Sequence, residues 1–265
     1  MTTTAMLLAA GRGERMRPLT DTCPKPLLPV KGRPLMSWAM AAMQRGGISH
    51  AVINTAWLGA QVEAAFGAQA DGLQLRYSHE GADFGHALET AGGIVRALPE
   101  LGPVFWLAAG DVYAPAFTFS AEAAHNFAAS DALAHLFLVP NPAHNEGGDF
   151  AIAANGRLSH AGQGLGAQAG ARYTYSTIGL FKAALFQPPY CDIAPGNASG
   201  QALALAPVLR RAMDDGLISG ELYEGQWVDV GTPQRLEQLN LADTANTHAT
   251  STSATNPAPR TPRTP

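Results

Sequence analysis

Cysteine is nearly absent from this 265-residue chain: Cys23 and Cys191 stand far apart, and no C-x-x-C occurs. That excludes a disulfide framework. Charge is sparse, 14% of residues with a formal net charge of −4, which argues against a general nucleic-acid or membrane-surface binder. Lysine is the scarcest carrier of it: only Lys25, Lys31 and Lys182, against fourteen arginines. The N-terminal apolar run is short, has no basic n-region, and ends in an Arg-rich turn. Neither a signal peptide nor a membrane span is read from it, and the cytoplasm is the expected compartment. No Ser/His/Asp or Cys/His set stands out; His135, His144 and His160 lack metal-ligand spacing and are expected to be structural or exposed. What remains is 46% hydrophobic residues, in a length that allows one large domain or two small ones around a buried core.

The most informative stretch runs from Leu8 to Pro29. Apolar residues Ala5 to Ala10 read as a short buried strand that empties into Gly11-Arg12-Gly13. Glycine permits close backbone approach and φ > 0, so successive N–H groups can form an anion-binding nest. Arg12, Arg15 and Arg17 add fork-shaped donors suited to phosphate oxygens. A Walker A loop and a G-x-G-x-x-G dinucleotide fingerprint both fail, because Met16 stands where each needs a glycine. Downstream, Lys25 is clamped between Pro24 and Pro26, which stiffens its approach. Together these features suggest a polyphosphate cradle.

Strand-like and helix-like segments alternate through about the first 110 residues, which predicts a doubly wound, mostly parallel α/β sheet. Helices are expected at Leu35 to Met43, Leu58 to Phe66, Leu88 to Leu98, Leu203 to Met213 and Pro233 to Leu241, and strands at Ala51 to Ile53, Leu73 to Tyr77 and Pro103 to Ala108. Phe150 to Ala153 and Tyr173 to Phe181 fall outside the repeat and predict a mixed or antiparallel extension. Two carboxylates stand out. Asp111 follows a buried strand and Gly110, a place from which it can hold a metal at the sheet rim or simply make a turn. Asp229 lies in a short apolar strand before Gly231-Thr232-Pro233, where it is costly unless paired, metal-bound or capping the next helix. Glycines between Gly162 and Gly170 mark turns or a mobile loop. Residues 1–242 are read as the folded domain, and 243–265, rich in Thr, Ser, Ala and Pro, as a disordered low-complexity tail. There is no hexapeptide repeat.

The run L-A-A-G-R-G-E-R-M-R-P-L-T with P-K-P-L, the Gly110-Asp111 pair and W-V-D-V-G-T at Trp227 to Thr232 resemble the signature of the sugar-1-phosphate nucleotidyltransferases. The resemblance spans about Met6 to Leu241. It implies a Rossmann-like, GT-A-like domain whose extension covers the sugar, and condensation of a nucleoside triphosphate with a sugar 1-phosphate to give nucleotide-sugar and pyrophosphate. By the same resemblance Leu8, Ala10, Gly11, Gly13 and Gly92 bind the nucleotide, Arg15 contacts the departing pyrophosphate with Arg12 assisting, and Lys25 bridges the two phosphates. Asp111 and Asp229 carry Mg²⁺, and Gly93, Asn141 and Asp149 contact the sugar.

Further stretches, from Ile53 to Gly59, Leu88 to Gly93, and Asn141-Pro142 with Gly148-Asp149-Phe150, resemble the branch of that family that uridylylates N-acetylmuramate 1-phosphate in peptidoglycan recycling. Two departures stand against it: Ala91 replaces a usual glycine, and Ala109 a usual asparagine. No Glu-Lys-Pro clamp is present, which disfavours glucose-1-phosphate thymidylyltransferase and leaves mannose-1-phosphate guanylyltransferase as the alternative. A non-catalytic nucleotide-sugar sensor is the alternative from another class. The implied partners are small molecules, with no nucleic acid and no membrane; oligomeric state is not legible.

Overall fold

Thr4–Ala9 (β1) is apolar on both faces and almost wholly buried, which fits it for the middle of a sheet covered on both sides. The structure, a computed structural model, describes residues 3–160 and 171–241, so the glycine-rich stretch 162–170 and the segment from Asp243 lie outside the described residues. After β1 come a short hairpin, Pro29–Val30 (β2) with Arg33–Pro34 (β3), the helix Leu35–Arg45 (α1), His50–Thr55 (β4) and Gly59–Phe66 (α2). Gln69–Ala70 (β5), Leu73–His79 (β6), Glu80–Phe84 (α3), Glu89–Ala97 (α4), Val104–Ala109 (β7) and Val112–Tyr113 (β8) follow. The second half contains Ala121–Ala128 (α5), Ala134–Val139 (β9), Phe150–Ile152 (β10), Leu158–Ser159 (β11), Arg172–Lys182 (β12), Leu205–Asp214 (α6), Ile218–Leu222 (β13), Val228–Asp229 (β14) and Pro233–Leu241 (α7).

β7, β1, β4 and β6 lie side by side and parallel, as the strand–helix alternation predicts. The chain places β4 and β6 on one flank of β1 and then returns to set β7 on the other. The carboxyl ends of β1 and β7 therefore bound a topological switch point, where ligands of open α/β sheets bind. β12 joins antiparallel to β7, β9 and β10, and β13 runs parallel to β9. The expected antiparallel extension is thus continuous with the main sheet of ten strands.

Side chains alternate along the strands to fill two cores. Ala5, Leu7, Trp106 and Ala108 face α1 and α5, packing on Met36, Met40, Phe117 and Phe119. Met6, Phe105 and Leu107 face α4 and α6, packing on Ile94, Val95, Val208 and Leu209. A third, smaller cluster joins Met16 and Leu28 to Tyr113, Val230, Leu236 and Leu239, so the loop after β1 is packed against the C-terminal helix α7.

Candidate active site

Register brings the two informative turns together. Leu8 lies opposite Ala109, and the amide of Gly110 donates to the Leu8 carbonyl at 2.8 Å, so Gly11 and Asp111 leave the sheet side by side. Between them opens a cavity of about 450 Å³ lined by Leu8, Ala10, Gly11, Gly13, Arg15, Lys25 and Asp111, among others. A Cβ built on Gly11 would meet nothing within 4 Å, leaving that backbone open to a ligand. Gly13 takes φ +69 to start the turn Glu14–Met16, and its carbonyl accepts from Thr20 Oγ1 at 2.8 Å.

The loop's arginines divide their work. Arg12 donates to the Thr20 carbonyl and to Asp21 Oδ1 at 2.7 Å and stacks over Trp57; it staples the loop and does not line the cavity. Its hydrogen bond holds the Asp21 carboxyl below the usual carboxylate range. Arg15 lines the cavity and makes no hydrogen bond or ion pair with the described residues. Lys25, 8% exposed, sets its ammonium 2.5 Å from Asp111 Oδ2.

Asp229 comes to the same place through a two-stranded pairing: it stands opposite Val112, and the Val230 amide donates to the Asp111 carbonyl at 3.1 Å. Asp229 itself is not among the cavity's lining residues, although Gly231 is. Arg235 Nη1 donates to Asp229 Oδ2 at 2.7 Å, and His144 Nε2 lies 3.4 Å from that oxygen. His144 is exposed, as expected, and also contacts one of the two informative carboxylates. Among the described residues no group of three or more His, Cys, Asp or Glu is placed to hold a metal ion. A cation here would have two carboxylates and would draw its other ligands from substrate and water.

The opposite wall rests on a buried network. Asn54 accepts from the Ala9 amide at 2.9 Å and donates to Glu80 Oε1 at 2.7 Å, while Glu80 Oε2 accepts from the Leu88 amide. Burial pushes the Glu80 carboxyl above its usual range, opposed by the hydrogen bonds from Leu88 and Asn54. The network fixes the start of α4, where Glu89, held at φ +57, and Thr90 face the cavity. Gly92 and Gly93, expected beside nucleotide and sugar, lie further into α4, buried, and line neither cavity. A Cβ on Gly92 would fall 2.6 Å from the Gln201 carbonyl, and one on Gly93 2.4 Å from Glu80 Oε1.

Leu8, Glu89, Thr90 and Thr177 also line a second cavity of about 700 Å³, so the two adjoin. Asp149, Phe150, Tyr175, Leu209 and Arg210 are among its other walls. Asp149 accepts from the Tyr175 amide and from Asn145. Asn141 is exposed, bonds to the Glu146 and Arg172 carbonyls and to Thr174, and lines neither cavity. Glu80, Glu89, Thr177 and Arg210 were given no role from sequence; an acidic or basic residue on a helix or strand carries no local signal that it faces a cavity.

Residues 4–160 match the family model described as "Nucleotidyl transferase". An N-acetylmuramate α-1-phosphate uridylyltransferase of Neisseria meningitidis serogroup B is 43% identical over 88% of this chain and 95% of its own length. One of Caulobacter vibrioides is 32% identical over 87% and 92%. A mannose-1-phosphate guanylyltransferase of Mycobacterium tuberculosis is 39% identical but over only 37% of this chain and 26% of its own length. Among solved structures, the UTP-bound UGPase from Acinetobacter baumannii shares the fold at TM-score 0.70, with 15% identity over 93% of this chain and 94% of that one.

Proposed function

Because the chain belongs to the nucleotidyl transferase family, we infer that it is a sugar-1-phosphate uridylyltransferase, joining UTP to a sugar 1-phosphate with release of pyrophosphate. We propose N-acetylmuramate α-1-phosphate as the sugar, and peptidoglycan recycling as the setting. Relatives of that activity span most of the chain, whereas the similarity to a guanylyltransferase covers 37% of it. The observation that carries the reading is the meeting of Gly11, Arg15, Lys25 and Asp111 around one cavity at the switch point.

The reaction is an in-line attack of a sugar-phosphate oxygen on the α-phosphorus of UTP. That nucleophile is already largely ionised near neutral pH, with a second pKa of about 6, so no general base is required. Catalysis then reduces to positioning and charge neutralisation. Backbone amides from Ala10 to Gly13 hold the triphosphate. Arg15, with no competing partner among the described residues, takes the departing pyrophosphate. Lys25 stands at the cavity floor to bridge the two phosphates and keeps its charge oriented through Asp111. Arg12 serves the loop's shape. Glu89, Thr90 and Thr177 stand between the two cavities, and Asp149 faces the sugar side; Gly92, Gly93 and Asn141 act by shaping the walls.

Asp111 and Asp229 would hold Mg²⁺: they are neighbours across one strand pairing, and two carboxylates completed by phosphate oxygens and water are a set that this ion takes. When bound, the ion supplies neutralisation of the phosphate charge.

A coupled pyrophosphate assay tests the reading, with UTP, dTTP, GTP and CTP each paired with several sugar 1-phosphates. UTP with N-acetylmuramate 1-phosphate is expected to be fastest. GTP with mannose 1-phosphate outpacing it would overturn the substrate assignment, and binding of UDP-sugar with no pyrophosphate formed from any pair would indicate a sensor.

A further inference from the structure

The loop from Gly13 to Pro24 carries Arg15 and leads into Lys25, yet its backbone makes no bond to the sheet. Among the described residues its backbone hydrogen bonds are all local: the amides of Met16, Arg17, Asp21 and Leu27 donate to the carbonyls of Gly13, Glu14, Pro18 and Pro24. Arg17, Pro18 and Leu19, at its outer edge, are exposed. Met16 in the third core cluster and Lys25 on Asp111 anchor its two ends. The span between them is held from the start of α2.

Trp57 follows the buried strand β4 by two residues and precedes Leu58, whose φ of +50 turns the chain into α2. Its indole Nε1–H donates to the Thr20 carbonyl at 2.9 Å, and Gln61 Nε2, four residues on, donates to the Thr22 carbonyl at 3.2 Å. The indole face carries the Arg12 guanidinium 3.8 Å from its centre. Arg12 donates to the same Thr20 carbonyl at 2.8 Å, so both lone pairs of that oxygen are taken. Thr20 is fully buried and passes the restraint inward. Its Oγ1 donates to the Gly13 carbonyl at 2.8 Å, the carbonyl that also accepts from Met16 and closes the turn Glu14–Met16. Arg15 is the middle residue of that turn. Trp57 and Thr20 line neither cavity.

We propose that Trp57 and Thr20 are positioning residues, a chain of hydrogen bonds from α2 that fixes the turn aiming Arg15 at the departing pyrophosphate. The inference rests on the uridylyltransferase reading above, in which Arg15 takes that group. Arg15 has no partner among the described residues, so its direction comes from the backbone of its turn. No residue of the loop lines the second cavity, so a fault in this chain reaches UTP and pyrophosphate before it reaches the sugar.

The experiment measures KM for UTP and for the sugar 1-phosphate in the forward reaction, and KM for pyrophosphate in the reverse. The variants are Trp57→Phe, Thr20→Val, Thr20→Ser and the double variant of the first two. Phenylalanine keeps a ring under Arg12 and loses the donor; valine keeps the shape of threonine and loses the hydroxyl. KM does not depend on the fraction of a variant that folds. Trp57→Phe and Thr20→Val are each expected to raise KM for UTP and for pyrophosphate about three- to tenfold, the range for one lost hydrogen bond, with KM for the sugar 1-phosphate changed less than about twofold. Thr20→Ser, which keeps the hydroxyl, should stay near the wild type. Because both substitutions break one chain, the double variant should cost less than the product of the two single effects. Unchanged KM for UTP and pyrophosphate, or an equal rise for all three substrates, overturns the positioning role. An effect of Thr20→Val with none from Trp57→Phe overturns the part given to Trp57. A wild type that releases no pyrophosphate from UTP with any sugar 1-phosphate overturns the transferase reading itself, and this inference with it, before any variant is made.

Discussion

The ammonium of Lys25 lies 2.5 Å from Oδ2 of Asp111, one side chain from the loop after β1 and the other from the end of β7. Their side chains are 10% and 35% exposed, so the buried lysine depends on the aspartate while the aspartate keeps access to the cavity. Phosphate oxygens can then take over the lysine while a cation takes over the aspartate, so the buried ammonium is never left alone. Lys25→Met removes one half of that exchange. The expected result is a fall in kcat of about 10²–10³-fold, the usual loss for one preorganised donor at a reacting group. Pyrophosphate release at saturating substrates measures it; a variant within threefold of wild type, taking about 0.6 kcal/mol as threefold, would remove Lys25 from the mechanism.

Asp229 is paired with Arg235, so a divalent ion has to compete with that guanidinium there and with the Lys25 ammonium at Asp111. Chelation by EDTA should abolish turnover and added Mg²⁺ should restore it. Asp111→Asn and Asp229→Asn should each raise the Mg²⁺ concentration for half-maximal activity by at least about tenfold. Full activity in EDTA would sink the metal assignment.

How far these contacts can be read in advance depends on how locally they are specified. Gly11, Arg15 and Lys25 sit in a stretch where glycine and proline restrict the backbone and phosphate chemistry restricts the side chains, so their meeting was legible. The nearness of Asp111 and Asp229 was read only through family resemblance, because β8 and β14 have two residues each and show no periodicity. Gly92 and Gly93 show the limit from the other side: a helical glycine required by a carbonyl 2.6 Å away looks, in sequence, like one required by a ligand. Arg210 reads as the solvated face of an amphipathic helix and is exposed, and only the placing of α6 across a cavity from residues of β10 and β12 puts it on that cavity's rim.

Glu80 carries a pH dependence. Burial raises its carboxyl above the ordinary glutamate range, so the folded protein keeps the proton to a higher pH than the unfolded chain does. As pH rises through the interval between the two values the unfolded chain deprotonates first, and the contribution, fully present below that interval, is lost. Denaturant melts from about pH 4 to 7 should therefore show the wild type losing stability relative to Glu80→Gln as pH rises. The opposite slope would mean that the hydrogen bonds from Asn54 and Leu88 outweigh burial.

Thr177 holds φ +63 where the pairing of β12 with β9 shifts register between Tyr175 and Ile178, and it lines both cavities. A β-branched residue in the left-handed region is strained, at about 1–2 kcal/mol for any side chain with a Cβ. Such strain persists where the surroundings fix the backbone, which here are β7 and β9 on either side of Ile178 to Phe181. Comparing Thr177→Gly with Thr177→Ala isolates it, since both variants lose the hydroxyl that donates to the Ser176 carbonyl. Elsewhere in a strand glycine is the worse of the two by about 0.5–1 kcal/mol. At 177 the order should invert, with glycine more stable by about 1 kcal/mol in denaturant melts. Both variants should raise KM for the sugar 1-phosphate, because both open the wall between the cavities. An alanine variant as stable as the glycine one would mean that the backbone here relaxes, and that the strain does not hold this wall in place.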